Sequence, residues 1–123
     1  MKTRNNLYWT ITDLELFPED GKRYEIIDGE LFVTRAPHWT HQEVTGNVYG
    51  VLQAWSRKTG LGRSAVTPGI IFSTTDSVIP DVVSASNQRL EACLDESVHL
   101  TDAPELVVEV LSKGVKDKQR DLE

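Results

Sequence analysis

The sequence predicts an α/β (α+β) domain in which a mixed β-sheet is flanked by helices, with a helix and a β-hairpin at its N-terminal end. Three observations carry this. Asp28-Gly29 sits between two short runs suited to strands, and both residues tolerate the positive φ that a type I′ hairpin turn requires. A long stretch of helical spacing opens near Thr40. A compact Val/Leu run, Glu105 to Leu111, has the composition of a strand buried on both faces.

Taken in order, Thr12 with Glu15 three residues on forms a capping-box start for a short helix that Pro18 ends. Arg23 to Val33 forms the hairpin. Thr40 with Glu43 repeats the capping-box pattern and opens the longest helix, whose apolar residues Val44, Val48, Leu52 and Trp55 line one face. That helix stops at Gly60-Leu61-Gly62, since glycine accepts the left-handed conformation of a helix C-terminus. Ser64 to Ser73, broken by Pro68-Gly69, reads as one bent strand or two short ones. Val78 to Ala85 is a strand, Gln88 to Leu94 a short helix, and Glu105 to Leu111 the last strong strand. The charged tail, Lys113 to Glu123, begins a further helix without a closing signal, so residues 1–123 read as a single domain incomplete at its C-terminus.

Bulk properties narrow the function. A length of 123 residues suits one hydrophobic core, and 39% apolar with 26% charged residues is ordinary for a globular protein. No apolar run is long enough to cross a membrane, and no apolar stretch follows the basic N-terminal residues as a secretory signal requires. One cysteine, Cys93, allows no internal disulfide. Together these favour the cytoplasm. A net charge of −6 argues against a general nucleic-acid binder, but not against an enzyme that gathers carboxylates around a metal.

Two apolar strands each carry one carboxylate in their midst, Asp81 in VIPDVV and Glu109 in LVVEVL. A buried ionised carboxylate is costly unless paired, hydrogen-bonded or metal-bound. On neighbouring strands the two offer hard oxygen ligands suited to Mg²⁺ or Mn²⁺; otherwise Asp81 marks a strand entrance and Glu109 an exposed face or a lysine pair. Glu30, just after the turn, is either an auxiliary ligand or a solvated hairpin residue. His41, in the first turn of the long helix, either approaches a phosphate or is a plain helix-start residue. Trp9, Trp39 and Trp55 read as core or interface packing rather than base-stacking groups.

Four stretches add a resemblance. Thr10 to Leu31 (TITDLELFPEDGKRYEIIDGEL), His41-Gln42, Pro80-Asp81 and Ala103 to Ser112 (APELVVEVLS) resemble, in this order, the Uma family of restriction endonuclease-like proteins within the PD-(D/E)xK nuclease superfamily. The resemblance implies metal-dependent phosphodiester hydrolysis, with Asp81 and Glu109 as metal ligands and a lysine two residues beyond the glutamate. It also implies Glu30 and His41 as recurrent site positions, and nucleic acid, DNA before RNA, as substrate. Leu111 stands at the lysine position. Lys113, Lys116 and Lys118 do not align with the helix lysine common in the family, and Asp121 resembles the aspartate preceding it. The alternative is a catalytically inactive nuclease fold acting as a binding or self-associating module. In that reading a sheet edge left unpaired promotes a homodimer.

Overall fold

The computed structural model describes residues 8–111. The helix expected in the charged tail therefore lies outside the described residues.

The chain begins with α1 (Ile11–Leu14), then the strands β1 (Arg23–Ile27) and β2 (Glu30–Thr34). The helix α2 (Trp39–Thr59) leads to β3 (Gly62–Val66), β4 (Ile70–Ser73), β5 (Asp76–Val78) and β6 (Val82–Ser86). The helix α3 (Asn87–Cys93) and β7 (Leu106–Val108) complete the described elements. The strands form two sheets, one ordered β2-β1-β5-β4 and the other β3-β6-β7. This is an α+β architecture, as expected. The expected mixed sheet is replaced by two sheets whose strand pairs are all antiparallel, and the parallel pairing of Ile70 with Leu100 is an isolated bridge.

The hairpin follows its sequence signal. Asp28 and Gly29 have φ of 52° and 78°, the doubly positive pair of a type I′ turn, and Ile27 pairs with Glu30 across it. Gly29 is required twice over, because a side chain there would also run into the ring of Tyr8. The long helix likewise ends at Gly60, whose φ of 68° lets its amide reach the Ser56 carbonyl at 2.8 Å.

Both helix starts differ from expectation. The cap of α1 is Thr10, whose amide donates to Asp13 Oδ2 at 2.9 Å, not Thr12 with Glu15. The residue before α2 is His38, which makes no side-chain cap, and Thr40 already lies inside the first turn. A helix of 21 residues draws its stability from packing more than from one cap, so tertiary contacts override the local signal.

The packing face of α2 also differs. It rests on β3 and β6 and buries His41, Thr45 and Ser56, with Val48 and Leu52 half-buried between them. Val44 and Trp55, expected on that face, are exposed instead.

The run Val78 to Ala85 is not one strand. Pro80 has no amide to donate, and the chain leaves β5 and crosses through Ile79-Pro80-Asp81 into β6 of the other sheet. The best-buried strand is β6, with Val82, Val83, Ser84 and Ala85 all buried. The expected last strand shrinks to β7, which lies at the edge of its sheet with Leu106 and Val107 exposed, so it is not buried on both faces among the described residues. Ile70, Val83 and Leu100 form a core cluster against Val78, Leu90, Cys93 and Leu94. Ile26 and Val82 are wholly buried, and such side chains contribute about 2 kcal/mol each.

Candidate functional site

Where the chain passes from one sheet to the other, Asp81 becomes the meeting point of four segments. It stands immediately before β6 and is 3% exposed. Its amide donates to Glu109 Oε1 at 3.0 Å, and its own Oδ2 accepts from the amide of Val110 at 2.7 Å. The two acidic residues therefore clasp reciprocally across the ends of β6 and β7, each carboxylate taken up by the main chain of the other segment. The register puts them there: Val82 pairs with Val108, so the residues just outside that pair, Asp81 and Glu109, must also be neighbours.

The remaining partners come from far away in sequence. Arg23, the first residue of β1, sets Nη2 at 2.7 Å from Asp81 Oδ1 and donates from Nη1 to the Ile79 carbonyl at 3.2 Å. His41, held on the inner face of α2, places Nε2 at 3.3 Å from Asp81 Oδ2, while its Nδ1 lies 3.0 Å from Gln42 Oε1. Burial by itself pushes the Asp81 carboxyl up. The Val110 amide, the Arg23 guanidinium and His41 together outweigh that push and hold it below the usual aspartate range. Glu25, also on β1, accepts from the Ile79 amide at 2.7 Å and fixes the crossing peptide beside Asp81.

Of the residues singled out from the sequence, Asp81, Glu109 and His41 come together. Glu30 does not join them: it pairs with Ile27 at the opposite end of β1 from Arg23, about 13 Å away at an ordinary strand rise. Leu111, at the lysine position of the resemblance, is 92% exposed. Arg23 and Glu25 were missed. Both lie more than fifty residues from Asp81 in sequence and carry no motif spacing, so only the pairing of β1 with β5 brings them to the crossing. The available hint was chemical, since a buried aspartate requires a cation or several donors.

The donor set fits a hard divalent cation in kind. Asp81 and Glu109 are adjacent carboxylates, and Glu109 Oε2 has no hydrogen-bond or ion-pair partner among the described residues. Among the described residues no three His, Cys, Asp or Glu side chains are arranged to hold a metal ion together, His41 beside Asp81 included. Mg²⁺, however, is commonly held by one or two carboxylates with water and substrate phosphate filling the other positions. At the opposite end of β6, Glu105 accepts from the amide and hydroxyl of Ser86 at 2.9 and 2.8 Å, with Arg89 Nε at 3.3 Å, and its pKa is lowered to about 2 chiefly by the Ser86 amide. That cluster is exposed and caps α3, so it is structural.

No described helix is long and apolar enough to cross a membrane. No curated protein matches the chain. A solved structure titled as a putative nuclease belonging to DUF820, from Anabaena variabilis ATCC 29413, superposes with a TM-score of 0.66 at 17% identity. The match covers 91% of this chain and 64% of that one, so the chain spans less than two thirds of the length of its structural relative. At that identity the likeness establishes the fold alone, an α+β arrangement shared with that structure. The model of the Uma2 family, described as "Putative restriction endonuclease", matches residues 11–122. Matched over nearly its whole length, the chain belongs to the Uma2 family of restriction endonuclease-like proteins, a group that usually employs a divalent metal.

Proposed function

We propose that this chain carries the acidic half of a metal-dependent endonuclease site, with Asp81 and Glu109 as the ligands of Mg²⁺ or Mn²⁺. The observation that carries the reading is the reciprocal clasp of these two residues at the crossing between sheets. A buried carboxylate with three partners from three segments is expensive to assemble, and such constellations concentrate at functional sites. A bound divalent ion would supply Lewis-acid stabilisation of charge developing on a phosphodiester. The chain's own groups do the rest. Val110 and Arg23 keep the Asp81 carboxyl ionised, and Glu25 and Arg23 hold the Ile79 peptide that aims it. His41, buried with Nε2 on Asp81 Oδ2 and Nδ1 on Gln42, orients the aspartate carboxylate. Glu30 has no role in this reading. The partners are nucleic acid, DNA before RNA, and a second copy of the chain, and the setting is the cytoplasm.

A second reading has its own support. Leu111 replaces the lysine expected two residues after Glu109, and Arg23 already neutralises Asp81, as in a nuclease fold kept for binding. One experiment separates them. Isothermal titration with Mn²⁺ is run on the wild-type chain and on Asp81→Asn, alongside cleavage of plasmid DNA and single-stranded RNA. Saturable Mn²⁺ binding lost in Asp81→Asn, together with cleavage lost in the same variant, supports the nuclease. Absence of saturable binding in the wild-type chain removes the metal site and leaves the binding module.

A further inference from the structure

The outward side of α2 carries an apolar seam that the described fold does not cover. Val44, Val48, Val51 and Trp55 recur at steps of four, three and four, the spacing by which one helix packs against another along its length. Val44, Val51 and Trp55 are 42%, 71% and 45% exposed, and Val48 is half-buried at the inner margin of the seam. On an ordinary surface helix these positions are polar, and a contiguous apolar stripe marks an interaction surface.

We propose that this seam is covered by the same seam of a second copy of the chain, the two α2 helices running antiparallel about a two-fold axis. The sequence of the helix is complementary to its own reverse. With the axis between positions 49 and 50, Val44 of each copy meets Trp55 of the other, and Val48 meets Val51, giving four apolar layers without a polar mismatch. Asn47 and Ala54 flank the seam and oppose one another, and the small alanine lets the backbones approach. Charge selects the direction. Glu43 lies in the second turn and Arg57 and Lys58 in the last, so antiparallel packing brings the acidic end of each helix to the partner's basic end. A parallel pair would stack Arg57 and Lys58 on their own copies. Two-fold closure uses the whole stripe in one self-complementary contact and leaves none of it open for further growth. His41, two turns before Val48, is turned inward beside the seam against Asp81, and the pairing sets the two His41 residues about 25 Å apart along the helix axis. This inference is independent of the hydrolytic reading.

Sedimentation equilibrium of the full chain tests it. The wild-type chain is expected to dimerise. Val51→Glu, at an exposed position that costs the monomer little, is expected to weaken self-association by about tenfold or more, because a carboxylate is then forced against apolar partners. Leu16→Glu, an exposed apolar residue away from α2, is expected to leave the dimer intact. Glu43→Lys weakens pairing, and adding Arg57→Glu and Lys58→Glu to the same chain restores it. Circular dichroism confirms that each variant is folded. A monomeric wild-type chain overturns the proposal. So does a dimer indifferent to Val51→Glu, which would locate pairing elsewhere, such as the β7 edge. Failure of the triple charge reversal to restore pairing overturns the antiparallel arrangement.

Discussion

The two ends of the β6–β7 pair solve the same problem in opposite ways. At each end a carboxylate ties one strand to the segment flanking the other. At the Ser86 end, Glu105 is exposed and its partners are the helix cap and Arg89, all within twenty residues. At the Asp81 end the carboxylate is buried, and its side-chain partners Arg23 and His41 come from β1 and α2, 58 and 40 residues away. An exposed clamp needs only local geometry. A buried one must satisfy desolvation with donors from several elements at once, so it costs more to build and more to break. That difference separates a structural carboxylate from a candidate site when both are held below their ordinary pKa.

The largest expected effect follows from removing the buried one. Asp81→Ala strands Arg23, His41 and the Val110 amide, and is expected to destabilise the fold by about 3 kcal/mol in urea unfolding. A loss no larger than that of Glu105→Ala would dissolve the contrast between the two ends.

Next comes Arg23→Gln, which releases Asp81 Oδ1 from its cation while keeping a neutral hydrogen-bonding group. Mn²⁺ affinity is expected to rise about tenfold by titration calorimetry, equivalent to about 1.4 kcal/mol. Unchanged affinity would mean that Arg23 does not compete for the carboxylate.

A smaller effect is expected at the exposed end. Ser86→Ala removes the cap of α3 and one acceptor–donor pair of Glu105, costing about 1 kcal/mol of unfolding free energy. A loss equal to that of Asp81→Ala would mean that the exposed clamp matters to the fold as much as the buried one.

The smallest concerns pH. Folding lowers the Glu105 pKa from 4.5 to about 2. Its contribution is therefore fully present above the ordinary glutamate value and is lost as pH falls through the folded value. Asp81 is lowered from 3.8 and has the same sign, so both ends weaken only under acid. Carboxyl-carbon NMR titration of Glu105 should show a midpoint near 2, and a midpoint at the ordinary value would mean that the Ser86 clamp does not persist in solution.

Much of this was legible beforehand where the signal was local. Asp28-Gly29 fixed a turn because few residue pairs accept two positive φ angles, and Gly60 fixed a helix end for the same reason. The short helix expected at Gln88 to Leu94 appears as Asn87–Cys93 with Ser86 as its cap. Where several segments compete, the reading failed. A run of apolar residues containing Pro80 looks like one strand, yet it crosses between sheets. Val44 and Trp55 look like core, yet the inner face of α2 is taken by His41, Thr45 and Ser56.

By itself the sequence determined the turn, the helix end, the helix and strand content, and the unusual placement of Asp81 and Glu109 among apolar neighbours. These depend on backbone sterics and on the cost of burying charge, which act over a few residues. Only the tertiary structure decided that Arg23 and His41 meet Asp81, that Glu30 does not, and which side of α2 faces out. Those depend on which strands pair and in what register, a choice made by the packing of the whole chain and carried by no single stretch of it.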